Sequence, residues 1–138
     1  MIRTPFFCRE ALLLVGIFSA IPASADIVII VNPANPATRM FSTQAAQFFL
    51  GTSTMFTPIE HLEEAPIRAE FCKKVLDKDP SQVKAGWSKL VFSGRGKAPQ
   101  EMKTAAEIKK AVNQNPNAIS YIDKSEVDDS VKVVATVQ

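Results

Sequence analysis

The densest concentration of anion-binding chemistry in the chain is the stretch S-G-R-G-K, Ser93 to Lys97, where two glycines and two cations follow an apolar run ending at Phe92. Alternate glycines let backbone N–H groups converge as an anion nest, and Arg95 or Lys97 would add positive charge to it. The neighbours exclude two familiar phosphate loops. The nucleotide loop G-x-x-x-x-G-K-[ST] needs a glycine five positions before Gly96 and a hydroxyl after Lys97, where Val91 and Ala98 stand. The dinucleotide pattern G-x-G-x-x-G fails because Ala98, Pro99, Gln100 and Glu101 follow without a third glycine. A glycine-built exit from the preceding helix is then the first reading, and an anion grip at Arg95 and Lys97 the second.

Other reactive side chains form no recognised catalytic arrangement. His61 is the single histidine, in "IEHLEEAP", and the residues around it predict an exposed loop in which Glu60, Glu63 and Glu64 form a solvated surface. No serine sits in the strand-turn pattern of an activated nucleophile, and the carboxylates of Glu101, Glu107, Asp123, Glu126, Asp128 and Asp129 follow neither acid/base spacing nor a calcium loop. Cys72 lies in "RAEFCKKVL" at a helical spacing that predicts burial as a small hydrophobe, and no zinc or CxxC spacing occurs. The expectation is a non-catalytic protein with no cofactor and no metal.

These residues need elements to position them. Residues 1–25 read as a secretory signal peptide: Arg3 and Arg9 precede the apolar run Ala11 to Ile21, and Ala23-Ser24-Ala25 supplies an A-x-A cleavage site. That run is too short to span a membrane, so an exported, periplasmic chain beginning at Asp26 is expected, with no stable membrane insertion. Cys8 falls within the signal, leaving Cys72 without an internal disulfide partner. Removing Arg3, Arg9 and Glu10 from 16 basic and 14 acidic residues leaves 14 against 13, a balance that gives no reason to expect nucleic acid as partner. Residues 26–138 are the size of one domain with one core.

"DIVIIVN", Asp26 to Asn32, is a β-branched run that predicts a strand buried on both faces, as in a parallel sheet covered by helices. "NPANPA" ends it in a turn at the strand's carboxyl end, where open α/β folds place ligands, which makes Asn32 and Asn35 candidate polar contacts. Ser42 is expected to cap a helix stopped by Gly51, Thr54 to Thr57 to form a short strand, and Pro58 to limit pairing beyond it. Further helices are predicted from Pro66 to Leu76, from Pro80 to about Phe92 with Asp79 as cap and Trp87 as core anchor, and after Thr104, whose capping box is completed by Glu107. Ala118 to Ile122 and Val131 to Val137 read as closing strands, giving one layered α/β domain.

The segments "IVIIVNPANP", "FFLG", "IRAEFCKKVL", "SQVKAGWSKLVFSGRGKAPQEM" and "VNQNPNAISYI" resemble, in this order, small exported proteins similar to phosphate ABC-transporter substrate-binding proteins; the block W-S-x-L-x-F-x-G-x-G from Trp87 to Gly96 is the most distinctive. The resemblance implies a single periplasmic-binding-protein-like lobe, with a small mixed or mostly parallel sheet flanked by helices. It further implies phosphate or another small oxyanion as ligand in transport. Full receptors of this kind close two lobes on phosphate, and this chain looks like little more than one. Where they carry a serine-glycine-threonine grip, "EEAPIRAEF" leaves Arg68 as the anion-binding side chain, and their glycine-alanine-isoleucine-glycine-tyrosine pattern is replaced by Asn117 to Tyr121 without either glycine. The anion-binding candidates are therefore Asn32, Asn35, Arg68, Arg95 and Lys97. An exported protein partner or a homodimer would rebuild a cleft, and the alternative function is a structural or protein-interaction module that has lost solute binding.

Overall fold

The computed structural model describes residues 26–138, so the signal-peptide reading of residues 1–25 lies outside the described residues. Strand β1 is Ile27–Val31, all five residues buried. Helix α1 is Ser42–Phe49, β2 is Thr57–His61 and α2 is Pro66–Phe71, continued by one wider π turn over Cys72–Leu76. Helix α3 is Pro80–Phe92, β3 is Gln100–Met102, α4 is Ala105–Gln114, β4 is Ala118–Asp123 and β5 is Lys132–Thr136.

Among the described residues the five strands form one mixed sheet in the order β3-β2-β4-β1-β5. Strand β1 is central and antiparallel to both β4 and β5, while β2 runs parallel to β3 and β4. One strand therefore opposes four, which corrects the parallel surroundings expected for β1. Its continuous apolar run reports burial on two faces and says nothing about the direction of its neighbours.

Both faces are covered. Ile27, Ile29 and Val31 point with Ile119 and Tyr121 into a core built with Phe48, Phe49, Phe71 and Trp87 from α1, α2 and α3. Val28 and Ile30 face the other way, with Ile59, Ala118 and Ile122, against Ile108 and Val112 of α4. The alternation follows the two-residue period of a strand.

Three local expectations change. Phe41, not Ser42, occupies the cap position of α1, where the Gln44 side chain reaches back to its N–H at 3.0 Å. Strand β2 starts at Thr57 rather than ending there, since Pro58 sits at its second residue and leaves Ile59 to His61 free to pair with β3. Strand β3, three residues on the sheet edge, carried no strand pattern in the sequence.

Candidate anion site and a buried polar cluster

Helix α3 positions the glycine-rich stretch. The Gln82 side chain accepts from the Asp79 N–H at 2.9 Å and Pro80 opens the first turn, so the helix start is well determined. Its core face carries Trp87, whose Nε1–H donates to the Phe49 carbonyl at 2.8 Å and ties α3 to the end of α1. Gly94, at φ +73°, turns the chain out of the helix, and the Arg95 N–H donates to the Leu90 carbonyl at 2.8 Å. Across from it Gly51, at φ +77°, brings the chain after α1 so close that a Cβ would lie 2.5 Å from Leu90 and 2.9 Å from Trp87.

These two glycine turns bring residues 51–58 and 95–97 together around a cavity of about 230 Å³. Arg95 and Lys97 line it with the hydroxyl residues Ser53, Thr54 and Thr57, over Phe56 and Trp87. No carboxylate is among its lining residues. Neither cation is ion-paired among the described residues. Two cations and three hydroxyls beside an apolar floor have the donor set that an oxyanion requires.

The other three candidates lie elsewhere. Asn32 is buried and its amide is spent on the fold: Nδ2 donates to the Val112 and Asn113 carbonyls at 3.0 and 2.8 Å, and Oδ1 accepts from the Ala34 N–H at 2.8 Å. Asn35 donates to the Pro116 carbonyl, accepts from the Ala37 N–H, and lines a separate cavity with Arg39, Gln44 and Phe48. The carboxyl end of β1, where both asparagines follow, is also the end at which β2 and β4 begin, because the strands are opposed. Arg68 stands near the opposite edge, where β2 and β3 end, and lines a third cavity. The structure thus joins Arg95 with Lys97 and places Asn32, Asn35 and Arg68 apart from them.

Around Arg68 the structure forms a polar cluster that the sequence did not reveal. Arg68 is buried; its Nη1 donates to the His61 carbonyl at 2.8 Å and to Glu101 Oε1 at 3.0 Å, and its Nε is 3.6 Å from Glu60 Oε2. Tyr121 donates its hydroxyl to Glu60 Oε2 at 2.6 Å, and Phe71 stacks on the Tyr121 ring at 3.8 Å. Burial pushes the Glu60 carboxyl up to about 7, against the lowering pull of the Tyr121 hydroxyl and of Arg68. His61 donates Nε2–H to the Tyr121 carbonyl at 2.7 Å, and burial holds its pKa below the usual imidazole value.

Glu60 and His61 are therefore interior residues, which corrects the solvated loop expected for "IEHLEE". Only Glu63 and Glu64 behave as the charge run suggests, Glu63 pairing with Lys84 at 2.9 Å and Glu64 exposed. No spacing marks the cluster in sequence, because its members meet through the register of β2 with β4 and β3. Cys72 is buried, and desolvation pushes its thiol up to about 11, which removes it as a nucleophile at neutral pH.

Among the described residues, no group of three or more His, Cys, Asp or Glu side chains is placed to hold a metal ion, and no helix is long and apolar enough to cross a membrane. No protein-family model matches the chain. No curated protein matches it either. In fold it is similar to a protein from Clostridium perfringens assigned as a phosphate ABC transporter substrate-binding protein and solved with bound phosphate (TM-score 0.64, 23% identity, 80% of this chain and 44% of that one). It is also similar to an ABC-type phosphate transport receptor from Vibrio cholerae (TM-score 0.56, 20% identity, 80% and 45%) and to PstS from Borrelia burgdorferi (TM-score 0.60, 11% identity, 80% and 47%). The chain spans less than half the length of each of these structures. Its described residues form a single α/β lobe with a periplasmic-binding-protein-like architecture, a five-stranded mixed sheet flanked by four helices.

Proposed function

We propose that this chain is a non-catalytic, exported solute-binding-protein-like domain that takes phosphate or another small oxyanion in transport, held between Arg95, Lys97 and the hydroxyls of Ser53, Thr54 and Thr57. The observation that carries this reading is the lining of that cavity, which combines two cations with three hydroxyls and no acid. Arg68 is the weaker candidate, since Glu60 and Glu101 already balance its charge within the fold. The likeness to phosphate receptors supports the fold on which such a site stands, and the residue chemistry supports the ligand class.

The site is open, and Arg95 and Lys97 are exposed. Charge interactions there are shared with water and salt, so the expected affinity is weak, with a dissociation constant on the order of 0.1–1 mM, or about 4–5.5 kcal/mol. Calorimetric titration of the purified protein with phosphate and sulfate tests the reading. Saturable heat that disappears in the R95A/K97A double variant, with circular dichroism unchanged, is the expected result. Absence of saturable heat at 10 mM of either anion would remove the proposal.

A further inference from the structure

The cavity that Arg68 lines, of about 370 Å³, opens between α3 and the segment from Ala98 to Glu101, and its chemistry differs from that of the Arg95 site. Trp87, Val91, Phe92 and Pro99 make its walls, and Arg68 and Lys84 are its two cations. Phe92 is 96% exposed and Val91 47%, so α3 presents an apolar ridge beside a charged recess. Ser88 supplies a hydroxyl, but that hydroxyl donates to the Lys84 carbonyl at 3.0 Å.

The Arg68 guanidinium is 5% exposed as a side chain, and its Nε–H has no hydrogen-bond acceptor. Nη1 is fixed by the His61 carbonyl, and the partner of Arg68 that also lines the cavity is Glu101, whose side chain is 43% exposed on the edge strand β3. Glu101 thus occupies with its own carboxylate the position at which a guanidinium would receive a ligand's carboxylate. Exchange of one carboxylate for the other keeps Arg68 paired and releases the Glu101 side chain, already 43% exposed, to solvent, while Lys84 stays paired with Glu63 at 2.9 Å.

From this we infer that the cavity is a binding site for a small organic carboxylate with a compact apolar body: the carboxylate at Arg68 in place of Glu101, and the body against Trp87, Phe92 and Pro99. Its volume is in the lower part of the range for small-molecule sites, roughly 300–1,000 Å³, and its apolar walls with few convergent polar groups fit that class. Inorganic phosphate would leave those walls uncovered. The inference does not depend on the Arg95 site.

Trp87 is the single tryptophan of the chain and lines both this cavity and the Arg95 cavity, so its fluorescence reports occupancy of either, and the Glu101 and Phe92 variants, which line this one alone, assign the signal. The probe is 3-phenylpropionate, titrated into the purified protein beside its uncharged amide and beside acetate. The carboxylate is expected to give a saturable change, with the amide and acetate each at least tenfold weaker. Glu101→Gln removes the competing charge and should tighten binding about threefold or more, whereas Phe92→Ser should weaken it about threefold or more. A response equal for acid and amide, a response equal for acetate, or tighter binding to the wild type than to E101Q would overturn the inference. So would concentration-dependent self-association that Phe92→Ser abolishes, because the ridge would then belong to a second copy of the chain.

Discussion

Asn32 illustrates how a polar side chain at a strand end can be consumed by the fold. Its three hydrogen bonds join the turn after β1 to the end of α4, in a buried setting. Asn32→Ala would leave two carbonyls and one N–H without these partners, at a cost of about 2–3 kcal/mol. Thermal unfolding should show a midpoint lower by roughly 10 °C, with oxyanion binding retained below the transition. Glu60 predicts a pH effect with a definite sign. Its carboxyl is raised from 4.5 to about 7 by burial, so between those values the folded chain keeps a proton that the unfolded chain releases. The contribution of Glu60 to stability is thus full below about pH 4.5 and is lost as pH rises through 7. His61, held low by burial, acts in the opposite sense up to its unfolded value, so the clean readout is the difference between wild type and Glu60→Gln. Chemical denaturation should find that E60Q gains on wild type by up to about 3 kcal/mol from pH 4.5 to 8. A flat difference would show that Glu60 titrates normally.

Among the elements, the two glycine turns that frame the anion cavity are expected to respond differently to a methyl group. Gly51 and Gly94 both hold positive φ, but a Cβ on Gly51 would strike Leu90 and Trp87, whereas a Cβ on Gly94 would meet open space. Gly94→Ala should cost about 1 kcal/mol, the backbone term alone, and Gly51→Ala about 2–4 kcal/mol through added overpacking. Denaturant midpoints compare the two directly. The same region shows what sequence could convey: helical period and proline placement announced α3 and the core position of Trp87, and the glycines announced its exit. Strand β2 was hidden by Pro58 and by the charges of "IEHLEE", because an acid and a histidine buried by pairing leave no apolar alternation to read. Strand β3 was hidden because it is three residues long on the sheet edge, with Gln100 and Glu101 exposed and Met102 alone packed against the core, which leaves no apolar alternation to read. The Arg95 and Lys97 candidates were legible from their glycines, but Ser53, Thr54 and Thr57 were not, since they reach the cavity through the turn at Gly51 rather than through spacing in the chain.

For the whole molecule, one described lobe presents two chemically distinct recesses at α3, one rich in cations and hydroxyls and one apolar with a buried guanidinium. An oxyanion held on an open face should feel ionic strength strongly. Raising salt from 50 to 500 mM shortens the screening length from about 14 to about 4 Å, and affinity for phosphate should fall several-fold. Amide chemical shifts followed during a phosphate titration map the anion onto the backbone and test the Arg95 site most directly. Saturable shifts clustered at residues 51–57 and 94–97 are expected, with Asn32 and Arg68 nearly unmoved. Shifts centred on Arg68 and the end of β2, or no saturable shifts up to 10 mM phosphate, would contradict the Arg95 site.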